Sequence, residues 1–202
     1  MMPAIHVLVF DGLADWEPGH ALTGLRRWGG LQVVSVGFDR NPVVTMGGLR
    51  LVPDATLEAV RPEAVRLLLL PGGELWESPA LSEAPIAALL RSCEGRGVPI
   101  AAICGATIPV ARAGLLRRRR HTSNGPDYLP KWAPGLTRPQ DYLDAPAARD
   151  RGVITAGGLT PVDFALEIFR ELELFSEADR DLWYRMYRHG RSDAGPPPGA
   201  GA

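Results

Sequence analysis

The chain predicts an α/β fold: one doubly wound, mostly parallel sheet with helices on both faces. Three observations carry that expectation. Ile5 to Phe10, Val65 to Leu70 and Val98 to Ile103 are short apolar runs closed by turn residues or a tight corner, the pattern of strands covered on both faces. Segments between them place apolar residues at helical spacing. The first strand, helix and strand fit within about 35 residues, the size of a βαβ unit.

Taken in order, Ile5 to Phe10 ends at Asp11-Gly12, and a loop through Leu13 to Trp16 follows. Ala21, Leu22, Leu25 and Trp28 then predict a helix stopped by Gly29-Gly30. Leu31 to Gly37 reads as the next strand, and Pro42 to Val52, around Gly47-Gly48, as a small hairpin or edge strand. Thr56 to Val60 predicts a brief helix before Pro62. Val65 to Leu70 reads as a central strand running into Pro71-Gly72-Gly73, and a helix is expected from Ser82 to Arg96. Ile86, Leu89, Leu90 and Cys93 share one face of it, so Cys93 reads as core.

Beyond Gly114, Leu115-Leu116 leads to Arg117 to Arg120, a solvated surface turn. His121 to Asn124 reads as a short strand end, and 125 to 145 as a loop with a helical turn. Val153 to Ala156 is the last buried strand, closed by Gly157-Gly158. Thr160-Pro161 marks a helix start, with Thr160 as cap and Val162, Ala165, Phe169 and Leu172 on one face. Ser176 opens a final helix carrying Leu182, Trp183, Met186 and Tyr187, a packing or dimer surface.

The 202 residues fit one domain, expected over 1–189, with 190–202 a disordered Gly/Pro/Ala-rich tail. Hydrophobic residues make up 46% and charged ones 22%, enough to build a sizeable core. A net charge of −1 gives no basic field for nucleic acid. No apolar run approaches the roughly 18 residues of a membrane span, and Met1 to His6 lacks a signal-peptide n-region. Two cysteines in different contexts make no disulfide framework, so the cytoplasm is the expected compartment. The four histidines show no metal-ligand spacing, and nothing calls for a cofactor. His6 reads as core and His189 as tail.

Chemistry is expected at Cys104, where a strand meets a helix at a sharp corner. Free N–H groups at the helix start would favour a thiolate there. The bland alternative is a buried thiol capping a core strand. The first loop (Asp15, Trp16, Glu17) and the glycine turn each follow a central strand, so both should share a rim with Cys104. In that set Cys104 is the nucleophile and Glu17 an acid hydrogen-bonded to it. N–H groups of Gly72, Gly73 and Gly105 would form an oxyanion site. A carboxylate beside a thiolate repels it, so Glu17 must carry or donate a proton.

Ala101-Ala102-Ile103-Cys104-Gly105 with Ala113-Gly114-Leu115-Leu116 resembles the elbow signature of the ThiJ/PfpI superfamily. This is the class I glutamine-amidotransferase-like group that includes the Parkinsonism-associated deglycase and the PfpI-type proteases. Gly12 to Glu17, Leu69 to Gly73, Ile154 to Gly158 and Phe164-Ala165 resemble its other motifs, and the likeness covers about residues 5 to 174. The resemblance implies a flavodoxin-like fold, Cys104 as reactive cysteine, Glu17 as its acid and Gly73 as the glycine facing it. It also implies a homodimer.

The departures are informative. Many members place a histidine after the cysteine, where this chain has Gly105, or about 20 residues on, where it has Asn124. His121 is three residues early and falls on the opposite face of a strand. His20, one turn into the first helix, is the other candidate for a base. The His-x-Glu of true glutaminases is missing near Gly157-Gly158-Leu159. Protease and glutaminase activities are therefore disfavoured. The reading is a cysteine-dependent hydrolase or lyase-like enzyme on a small electrophile: a carbonyl, isonitrile or amide. The alternatives are a non-enzymatic redox or stress protein using reversible Cys104 oxidation, and a ligand-binding relative without turnover.

Overall fold

The computed structural model describes residues 2–78, 81 and 84–190. The strands are β1 (Ala4–Leu8), β2 (Val33–Gly37), β3 (Val43–Val44), β4 (Arg50–Leu51), β5 (Ala55–Thr56), β6 (Val65–Leu70), β7 (Ile100–Ile103), β8 (Ala147–Asp150) and β9 (Val153–Ala156). The helices are α1 (Trp16–Thr23), α2 (Ala84–Gly95), α3 (Thr107–Arg112), α4 (Tyr128–Trp132), α5 (Pro161–Glu171) and α6 (Glu177–His189). Seven strands form one sheet in the order β5-β2-β1-β6-β7-β9-β8. Every pairing in it is parallel except β8 against β9. The doubly wound architecture is as expected.

Alternation along the central strands divides the core in two. Leu67 and Leu69 of β6 join Ile5, Val7, Ala101, Ile103 and Ile154 against α1, α5 and α6. Leu68 and Leu70 turn the other way, with Leu8, Ile100 and Ala102, against α2, α3 and α4. Each leucine of this kind contributes about 1.5–3 kcal/mol on burial. Both faces of the central strands are therefore apolar, which is why they read as unbroken hydrophobic runs.

The small hairpin is present as β3 and β4, and Cys93 is fully buried on α2. Other local expectations change. The first helix is α-helical only to Thr23 and continues as a π turn from Gly24 to Trp28. The strand expected from Leu31 begins at Val33, and the brief helix before Pro62 is a 3-10 turn, Leu57–Ala59. His121 to Asn124 forms no strand; His121 makes one bridge to Tyr142. Arg119 is not a solvated surface residue: it pairs with Glu94 at 2.9 Å and donates to the Leu115 carbonyl at 2.6 Å. Thr160 does not cap α5, because its one hydroxyl hydrogen is shared between the carbonyls of Pro146 and Gly157. His189 belongs to the last turn of α6 rather than the tail, and Gly190 closes that helix in the left-handed conformation. Ser82 and the tail from Arg191 to Ala202 lie outside the described residues.

The edge strand β8 was not anticipated. Its outward Arg149 reaches across to Glu167 and Glu171 of α5, both at 3.1 Å. Among the described residues, no helix is long and apolar enough to cross a membrane.

Candidate active site

The loops after β1, β6, β7 and β9 meet at the carboxyl edge of the sheet. These four strands are neighbours in it, so the residues that follow them converge. Cys104 leaves β7 with φ of 60° and enters a 3-10 turn (Cys104–Ala106) that runs into α3. A left-handed conformation at a non-glycine residue costs on the order of 1–2 kcal/mol, and the surroundings hold it. The carbonyl of Cys104 accepts from both the backbone N–H and the hydroxyl of Thr107, the latter at 2.7 Å.

Glu17, in the first turn of α1, is 1% exposed. Its Oε2 accepts the Gly72 N–H at 2.5 Å, and its carboxyl hydrogen-bonds to the Cys104 thiol. Gly72 and Gly158 wall this pair in. A β-carbon on Gly72 would stand 2.6 Å from Cβ of Cys104 and 2.6 Å from Oε2 of Glu17. One on Gly158 would stand 2.9 Å from the sulfur and 3.0 Å from Oε1 of Glu17. Neither position has room for a side chain.

Asn124 completes the sulfur's surroundings. Its Oδ1 accepts the Gly158 N–H at 3.0 Å, which turns its amide nitrogen toward Sγ of Cys104 at 3.1 Å. A backbone N–H only donates, so this orientation of the amide is chemically determined. Asn124 stands where a histidine was looked for, and it donates to sulfur without being able to take a proton.

Burial is the first cause of the shifts at both groups. It pushes Glu17 up to about 7, against the Gly72 N–H and the thiol. It pushes Cys104 up to about 11, with the Glu17 charge adding and the donors on Asn124 and Gly105 opposing. This shift runs against the thiolate that the helix start was expected to favour. The helix here has only six residues, and desolvation beside a carboxylate outweighs what its N–H groups supply.

A cleft of about 430 Å³ opens on this pair, lined by Trp16, Glu17, Cys104, Ser123, Asn124 and the 157–160 loop. Trp16 donates its indole N–H to the Gly158 carbonyl at 2.9 Å, which fixes one wall. Leu159 is exposed on the rim.

Other predicted site residues fall elsewhere. Asp15 accepts the Gly47 N–H at 2.6 Å and so holds the β3–β4 hairpin against α1. His20 stacks edge-on to Tyr187 and Trp183 in a separate aromatic groove, where burial holds it below its ordinary value. His121 is buried, hydrogen-bonds to the Arg119 carbonyl and lines a different cavity of about 370 Å³. Neither histidine lines the cleft. Gly72 is corrected as an oxyanion donor, because its N–H is committed to Glu17. Gly73 turns the chain beside Phe10 and Gly12. Gly105 donates its N–H to the sulfur and packs against Trp76.

Sequence reasoning missed Thr107, Ser123, Gly158 and Tyr128. The Tyr128 hydroxyl donates to Glu77 at 2.6 Å and lies close enough to Asn124 for a further hydrogen bond. Only Gly158, in a glycine pair ending a buried strand, offered a local signal. Among the described residues, no three His, Cys, Asp or Glu side chains come together to hold a metal ion.

The chain resembles a protein of Bacillus subtilis described as the uncharacterized protease YoaZ. They are 33% identical over 189 residues, covering 90% of this chain and 89% of that one. The glutathione-independent glyoxalase DJR-1.2 of Caenorhabditis elegans is 29% identical over 158 residues, 72% of this chain and 75% of that one. Among solved structures, a thiJ/pfpI family protein from Bacillus anthracis superposes with a TM-score of 0.87 at 31% identity. That match covers 96% of this chain and 94% of that one. Residues 3–171 match the model of the DJ-1/PfpI family, and the chain belongs to that family.

Proposed function

We propose that the protein is an enzyme in which Cys104 attacks the electrophilic carbon of a small molecule and Glu17 handles the proton. The observation that carries this reading is the pairing of buried Glu17 with partly exposed Cys104, walled by two glycines and opening on a cleft of molecular size. Small carbonyl compounds head the candidate substrates, since the similar C. elegans protein is a glyoxalase; isonitriles and amides follow.

The step begins with the thiol proton passing to the Glu17 carboxylate. That relieves the repulsion which otherwise opposes the thiolate. The sulfur lone pair forms a bond to the carbon, and the C=O π pair moves to oxygen. The N–H groups of Asn124 and Gly105, which face the resting sulfur, are the donors that must turn to the developing oxyanion. The proton on Glu17 then passes to that oxygen, giving a hemithioacetal from an aldehyde. Burial and the Glu17 charge both oppose a free thiolate, which favours attack on a bound substrate, with the proton moving to Glu17, over spontaneous oxidation.

Turnover assays on 2-oxoaldehydes, isonitriles and primary amides test the reading. Turnover of one class by the native protein, lost in Cys104→Ser, supports it. Turnover that survives in Cys104→Ser overturns it. A homodimer and a cytoplasmic workplace belong to the same proposal, and sedimentation velocity tests the first.

A further inference from the structure

The hydroxyl hydrogens behind the cleft have only one consistent arrangement. Thr107 Oγ1 lies 2.7 Å from the Cys104 carbonyl oxygen and 2.6 Å from Ser123 Oγ. A carbonyl oxygen carries no hydrogen, so the single hydrogen of Thr107 goes to it. The 2.6 Å contact between the hydroxyls then requires Ser123 to donate and Thr107 to accept. Thr107 is fully buried and Ser123 nearly so, and Ser123 lines the cleft beside Cys104. Its only hydrogen points away from the substrate space. What Ser123 retains for a ligand is a lone pair.

We infer that Ser123 determines specificity, acting as a fixed hydrogen-bond acceptor that selects electrophiles carrying an O–H or N–H donor next to the reacting carbon. The inference rests on the reading of Cys104 as nucleophile and narrows it. Hydroxyl-bearing carbonyls and primary amides fit the cleft. Ethers and esters of the same size place a lone pair against a lone pair that cannot turn away. Sites that present a committed polar group discriminate against ligands that leave it unpaired.

Two alkylating agents make the test independent of the natural substrate. Iodoacetamide carries an N–H donor where methyl iodoacetate carries an acceptor oxygen. With either, the sulfur–carbon bond forms as the carbon–iodine bond breaks, iodide leaves and the thiol proton passes to Glu17. Second-order rates at Cys104, read by peptide mass spectrometry, are each divided by the rate toward free cysteine. The expected result is a preference for the amide of roughly fivefold in the native protein, lost in Ser123→Ala.

Ser123→Ala also widens the cleft, so Thr107→Val supplies the second arm. It keeps the bulk of Ser123 but frees its hydroxyl to rotate and donate to the ester. The amide preference should therefore fall in Thr107→Val as well, whereas a merely steric wall would leave it unchanged. An unaltered ratio in both variants, or no preference in the native protein, overturns the inference. Absence of any labelling at Cys104 overturns the nucleophile reading and this inference with it.

Discussion

Two free thiols with similar acidity sit in the same domain and differ in almost everything else. Cys93 is fully buried on the apolar face of α2, and burial alone pushes it up to about 11. Cys104 reaches the same value, but from burial and the Glu17 charge acting against donors on Asn124 and Gly105. The comparison teaches that equal thiol acidities have different origins, one in burial alone and the other in burial beside a carboxylate. The penalty on Cys93 comes from burial alone. Part of the penalty on Cys104 disappears when its proton moves to Glu17, because the charge opposing the thiolate disappears with it.

The sharpest way to break this contrast is to exchange the two cysteines' fates. Cys104→Ser should lower turnover by at least about a thousandfold. Cys93→Ser should leave turnover intact and lower stability by about 1–3 kcal/mol, the cost of a hydroxyl in an apolar site; chemical denaturation reads this. Glu17→Gln comes next. It keeps an acceptor for the Gly72 N–H but removes the base, so turnover near neutral pH should fall by about a hundredfold.

The same variant sharpens the comparison in stability. Glu17 rises from 4.5 to about 7 on folding, so the folded state binds its proton more tightly than the unfolded chain does. Native stability is therefore lost as pH rises through that window and stays lowered above it. Glu17→Gln should be more stable than the native protein by about 3 kcal/mol at pH 8, and the advantage should vanish below about pH 4.5. Equal stabilities at both pH values would contradict the buried-acid account. The smallest expected effect belongs to Gly158→Ala. Its methyl group must displace the sulfur or the carboxylate, costing about 1–3 kcal/mol and roughly tenfold in turnover by misplacing the pair.

Much of this site was legible because its parts follow strands. Leu67 to Leu70 and Val98 to Ile103 are apolar throughout, so their carboxyl ends, and Cys104 with them, are located by pattern alone. Glu17 follows from the first such run. The Asp15 and His20 side chains share its segment but not its direction, and a helical turn sends them to the hairpin and to α6. Asn124 was legible only as the place of a missing histidine. Ser123 and Thr107 were not legible, since their role is a hydrogen-bond orientation between segments 16 residues apart. β8 hid for another reason: Ala-Ala-Arg-Asp has little strand propensity, and its place is secured by Arg149 against α5.

The most direct test of the central claim is the pH dependence of alkylation at Cys104, with Cys93 in the same molecule as the control. The account predicts that the Cys104 rate climbs through an inflection near pH 7, where Glu17 loses its proton, and that Glu17→Gln abolishes the inflection. Cys93 should stay slow throughout that range. A Cys104 profile that follows Cys93, or one that keeps its inflection in Glu17→Gln, would contradict the claim that Glu17 makes this thiol reactive.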